Sequence, residues 1–193
     1  MTLGARVLIV ASGETERRAL PRLLVHLPLS VDVRIPPRGD LTVQQAVRIL
    51  RAAWWEGYGR GEPPDKAVVL VDADARDPTE KEADFDPLHS QLRELDIPIR
   101  VTAAKWHLEA WFFADLVGLR QWLGGKSPGR VASPPDEIES PKHRLRNLLS
   151  EPYTSRLAED IASALSPATI RDRSPSFAKF EVAVKNGADP RPS

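Results

Sequence analysis

Apolar residues fall along this chain in short unbroken runs separated by stretches in which they recur every third or fourth position. The run "VLIV", within 6–10, predicts a strand buried on both faces. A small-residue turn follows, Ser12 and Gly13, and then Glu14, Thr15 and Glu16. Thr15 is the expected N-cap of a helix over 16–27, in which Pro21 predicts a kink or a restart. Residues 31–35, "VDVRI", alternate as a strand does. Thr42 is placed to cap a helix over 43–56, where Val43, Ala46, Val47, Leu50 and Trp54 share one face. After the turn-rich "GYGRGEPPD" comes the strongest strand pattern, 67–71, running into Asp72. An acidic loop over 75–86, a short helix over 88–95 and a strand over 97–101 complete the first half.

This alternation, β-α-β-α-β-α-β, predicts an α/β fold: a four-stranded, mainly parallel sheet flanked by helices. Ligands of such sheets sit at the carboxyl ends of the strands, where both acidic stretches fall. From 105 onward the pattern is helical: an aromatic helix over 107–123, a Gly/Pro/Ser loop over 124–141, and helices over 142–150, 153–165 and 177–185, with the tail from Asn186 expected to fray. Residues 1–104 thus form an α/β core and 105–193 a helical extension packed on it, within one structural domain.

Composition narrows the picture. The formal net charge is zero, so no global field draws the protein to nucleic acid or an anionic membrane. There are no cysteines, which excludes disulfides, thiolate metal sites and a cysteine nucleophile. No apolar run is of membrane-spanning length and no secretory leader pattern opens the chain, so a cytoplasmic protein without a membrane partner is expected.

The chemistry lies in the acids. Asp72 and Asp74 are two residues apart at a strand end, and in extended chain they would point to one side. Two adjacent carboxylates call for a proton or a cation between them, and oxygen-only sites select Mg²⁺ or Mn²⁺. Glu14 or Glu16, at the neighbouring strand end, would supply a third acid. Two such metals about 4 Å apart can stabilise both oxygens of a phosphodiester cleavage. Simpler roles compete: Asp is a common turn residue, and glutamates complement the positive end of a helix.

Taken in order, "SGETE" (12–16), "VDADARD" (71–77), "HLEAWFFAD" (107–115), "SPKHRLRNLL" (140–149) and "SPSFAKF" (174–180) resemble a small Toprim-like bacterial family of unknown function, related to the Toprim domains of OLD-type nucleases, primases and topoisomerases. The resemblance implies a Toprim-like fold and a divalent-metal centre, with Glu16, Asp72 and Asp74 as metal ligands. It also implies an AAA or ABC-type ATPase partner and a place in phage defence. The chain departs from the pattern at Ser12, which stands where Toprim enzymes end the first strand in a glutamate. Glu16 matches the second glutamate, and Glu14 occupies a variable position.

Three further candidates remain. Glu109, among aromatics, either pairs with an arginine or faces the acidic site. Beside it, His107 reads more readily as a packing or surface residue than as a base. Lys142, His143, Arg144 and Arg146 cluster at a helix start, and Lys142 and Arg144 are the candidate phosphate contacts if the partner is nucleic acid; a solvated helix face is the plainer reading. Trp54 and Trp55 could stack on bases, but Trp54 fits the core pattern. The expected function is that of a Mg²⁺-dependent phosphodiesterase or nuclease subunit, with Glu14, Glu16, Asp72, Asp74 and Glu109 as its acids. The alternative is a catalytically silent Toprim-like interaction subunit, for which Ser12 speaks.

Overall fold

Strands β1 (Arg6–Val10), β2 (Ser30–Arg34), β3 (Lys66–Asp72) and β4 (Ile99–Ala104) pair in the order β2-β1-β3-β4, every pairing parallel. The computed structural model describes residues 4–74, 76–131 and 134–186. Between the strands lie α1 (Glu14–Leu23), α2 (Val43–Gly59), α3 (Pro78–Ala83) and α4 (Pro87–Gln91). Beyond β4 come α5 (Glu109–Phe112), α6 (Leu116–Trp122), α7 (Pro141–Leu148), α8 (Ser155–Ala164), α9 (Pro167–Arg173) and α10 (Pro175–Lys185).

The period-two alternation of the central strands builds two cores. Val7, Ile9, Val68 and Leu70 face one way and pack under α1 and the C-terminal helices. Leu8, Val10, Val69 and Val71 face the other way, under α2 and α4. The expected α/β class and parallel sheet are therefore present, with helices on both faces and C-terminal helices beyond. The C-terminal helices belong to the first core: Trp111, Phe112, Phe113, Phe177 and Phe180 are fully buried with the strand residues.

Several element boundaries differ from the sequence reading. Helix α1 begins at Glu14 with Gly13 as N-cap, so Thr15 does not cap it. Pro21 lies inside α1 without ending it. Thr42 caps α2 as expected, in a reciprocal capping box with Gln45. The acidic stretch after β3 is not all loop: Asp77 accepts from Thr79 N and Pro78 takes the first helical position, which starts the short helix α3. The aromatic helix expected over 107–123 is broken, because the Asp115 carboxylate accepts from Gly118 N and restarts the chain as α6. The segment after Pro167 adds α9, and the tail beyond Asn186 lies outside the described residues. Among the described residues no helix is long and apolar enough to cross a membrane.

Candidate acidic site

The order of strands reverses between β1 and β3. The chain leaves β1 towards β2 on one side, and β3 continues to β4 on the other. A crevice at the carboxyl ends of β1 and β3 follows from that topology. Val68, Leu70 and Asp72 alternate onto one face, so Asp72 emerges on the side covered by α1 and the C-terminal helices.

Glu16 occupies the third position of α1, counted from its N-cap Gly13. Side chains at this position reach back over the helix start, and the Glu16 carboxylate lies close to Gly13, where an added Cβ would meet its Oε2 at 3.4 Å. Glu16 is only 7% exposed. Burial raises its pKa to about 7, and the charge of Glu109 adds to the rise; the backbone N–H groups at the helix start and the charge of Lys142 work against it. The same neighbours act on Asp72. Burial, then Glu16, Glu109 and Asp74, hold its pKa well above the usual carboxylate range, and Lys142 opposes them. Glu109, the first residue of α5, is 2% exposed. It forms no arginine ion pair among the described residues, and its charge is felt at both Glu16 and Asp72.

Two of the other candidate acids are turned elsewhere. Glu14 holds Arg17 through two 2.7 Å hydrogen bonds and Arg18 through one of 3.0 Å, on the exposed side of α1. Asp74 lies past the end of β3 with a left-handed backbone, φ 49°. The extended geometry that would have aligned it with Asp72 is therefore lost. Its side chain, 66% exposed, meets His107 Nε2 at 3.3 Å. Asp74 still adds its charge to the Asp72 environment, but it is not part of the buried group.

The basic cluster divides in the same way. Lys142, half-buried at the start of α7, is the cation whose charge reaches both Glu16 and Asp72. Arg144 points to the opposite side: its guanidinium lies 5.5 Å from the Phe113 ring centre and donates to the carbonyls of Pro128 and Arg130, tying down the loop before α7. Trp54, Trp55 and Tyr58 form a separate partly exposed aromatic group on α2.

A residue that drew no notice in the sequence completes the group. Tyr153 lies between α7 and α8, and its hydroxyl is buried with no hydrogen bond of ordinary geometry among the described residues. Burial, then the adjacent charge of Glu109, pushes the phenol far above its ordinary range, so it stays protonated. Glu109 is close enough to interact, but no hydrogen bond of ordinary geometry joins the two. A lone tyrosine after a proline carries no sequence pattern that would have marked it.

By donor chemistry, the buried acids suit a hard divalent cation: the donors are all oxygen, repel one another, and face a single lysine. Among the described residues, no three His, Asp or Glu side chains converge into a ready-made ligand cage. Mg²⁺ commonly takes only one or two protein carboxylates and completes its shell with water, so a pair such as Glu16 and Asp72 is within its requirements. Comparisons with protein-family models, with curated proteins and with solved structures each return no match.

Proposed function

We propose that the protein is a Toprim-like, Mg²⁺- or Mn²⁺-dependent phosphodiesterase or nuclease subunit. The observation that supports this reading most is that the charges of Glu16, Asp72 and Glu109, from three separate elements, act on one another and are opposed by Lys142, with Asp72 at the carboxyl end of a parallel strand. Buried like charges destabilise a fold unless something bound repays the cost. Glu16 and Asp72 would hold the cation directly. Asp74, at the mouth, would contribute through its charge. When bound, the metal would supply Lewis acidity and an activated water for hydrolysis. Glu109 would orient the water or the ligand shell, and Lys142 would contact the phosphate. With a pKa of about 7, Glu16 can exchange a proton near neutral pH. A nucleic-acid substrate, an ATPase partner, a cytoplasmic location and a role in phage defence fit this reading.

The test pairs binding with cleavage. Calorimetry with Mn²⁺ should show binding that Asp72→Ala abolishes, and incubation with DNA or RNA should show metal-dependent cleavage lost in the same variant. Cleavage that survives Asp72→Ala would refute the assignment. A second reading, a catalytically silent interaction subunit, is favoured by Ser12 and by the lack of a three-residue cage among the described residues. It expects neither Mn²⁺ binding nor cleavage.

A further inference from the structure

We infer that the Tyr153 hydroxyl, with Arg146 and Lys142, forms an oxyanion-binding subsite that receives a phosphate oxygen of the substrate; this rests on the phosphodiester reading above and deepens it. The first observation is the orphaned hydroxyl. Its oxygen is buried with no hydrogen bond of ordinary geometry among the described residues, Glu109 lying near it but poorly placed to accept, an arrangement that costs folding free energy and that folded proteins rarely keep without a use. The second is its setting. The charges of Glu109 and Glu16 act on the phenol, and that of Arg146 acts on it with the opposite sign. The third is helical spacing. Lys142 and Arg146 are four residues apart on α7 and share a face, whereas Arg144 is turned to Phe113 and to loop carbonyls. Among the described residues neither Lys142 nor Arg146 forms an ion pair.

The chemistry suits an anion. A neutral phenol donates one hydrogen bond and adds no charge, while the two cations offset the carboxylates that would otherwise repel a phosphate. A carboxylate could not take the place of Tyr153, because it has no proton to donate. Arg146, exposed on α7, would meet the phosphate from the solvent side, and Lys142 from beside the acids.

The test is Tyr153→Phe, which removes one oxygen and keeps the ring. Binding of inorganic phosphate is measured by calorimetry in saturating Ca²⁺, and thermal stability by melting. A subsite hydroxyl gives opposite signs: the variant melts at the same temperature or higher, because a buried unpartnered group is gone, and binds phosphate about tenfold or more weakly, the loss of one hydrogen bond to a charged acceptor. Arg146→Gln also weakens phosphate binding and flattens its salt dependence. A lower melting temperature in Tyr153→Phe would overturn the inference, since the hydroxyl would then be serving Glu109 as a structural donor. Unchanged phosphate affinity, or none in the unaltered protein, would overturn it too. Mn²⁺ binding, measured separately, distinguishes the two levels: phosphate binding that responds to Tyr153 without any metal binding or cleavage would leave the subsite standing and remove the phosphodiesterase.

Discussion

The indole Nε1 of Trp111 donates to the hydroxyl of Ser176 at 2.7 Å. Ser176 in turn donates to the buried carboxylate of Asp136, which also accepts from Ser174 Oγ at 3.1 Å. Trp111 stands two residues after Glu109, so this chain of hydrogen bonds fixes α5, and with it Glu109, against α10.

Removing the middle of that chain strands the Trp111 indole N–H and leaves the buried Asp136 carboxylate one donor short. Ser176→Ala is expected to destabilise the fold by about 2 kcal/mol, the cost of leaving buried polar groups unpaired. Urea titration measures it. A double variant with Trp111→Phe should lose less than the sum of the two single losses, because both act on the same bond.

Glu16 makes stability depend on pH in an unusual direction. Its pKa rises from an ordinary 4.5 to about 7 on folding. The folded state therefore binds more protons between these values, and this contribution to stability falls as pH rises from about 4.5 to about 7. Above pH 7 the deficit is complete, about 3 kcal/mol at 1.36 kcal/mol per unit. Glu16→Gln should be more stable than the unaltered protein at pH 8 by an amount approaching this figure, with the gap closing at pH 5. Added Mg²⁺ should narrow the gap at pH 8 by stabilising the unaltered protein alone.

Lys142 is the cation that holds the two acids down. In Lys142→Met the titration of Glu16 should move above about 7, and that of Asp72 should also rise. Carboxyl ¹³C shifts followed through a pH series report both.

Gly118 reverses the usual rule for glycine in a helix. Alanine normally stabilises such a position by about 1 kcal/mol. Here an added Cβ would lie 2.5 Å from Asp115 Oδ2 and 3.2 Å from Leu165 Cδ2. Asp115 cannot yield freely, because its carboxylate accepts from Gly118 N at 3.0 Å and from Ser166 N at 2.9 Å. Gly118→Ala is expected to lower the melting temperature.

Glu181 titrates in the ordinary direction. Burial pushes its carboxyl up, but hydrogen bonds from Lys185 and His26 more than offset this and leave the pKa lowered. Its contribution is therefore present above about 4.5 and lost as pH falls further. Glu181→Gln, which leaves the partly exposed basic partners facing a neutral amide, should cost about 1 kcal/mol at pH 7, measured by chemical denaturation.

What could be read in the sequence was whatever local pattern controls. The runs 7–10 and 67–71 are strands because nothing but a doubly covered sheet buries such stretches, and Asp72 follows from where the second run stops. Glu16 and Glu14 look equivalent in sequence; only the N-cap at Gly13 decides that one turns inward and the other meets Arg17. Asp74 lies two residues past the strand, where the backbone becomes left-handed, and the local sequence carries no sign of that change. Helix α3 is polar, with no buried residue, and so has no hydrophobic period to reveal it. Tyr153 comes under the charge of Glu109 through tertiary packing around α5 and α7, which no local spacing encodes.

Lys66 opens β3, the strand that ends in Asp72, and its buried ammonium donates at 3.3 Å to the carbonyl of Asn186, just past α10. A seven-residue strand spans about 20 Å, so the last described residue is held at the opposite pole of the sheet from the carboxylates. A probe attached at Asn186 would therefore sit about one strand length from Asp72 and leave the carboxylates undisturbed.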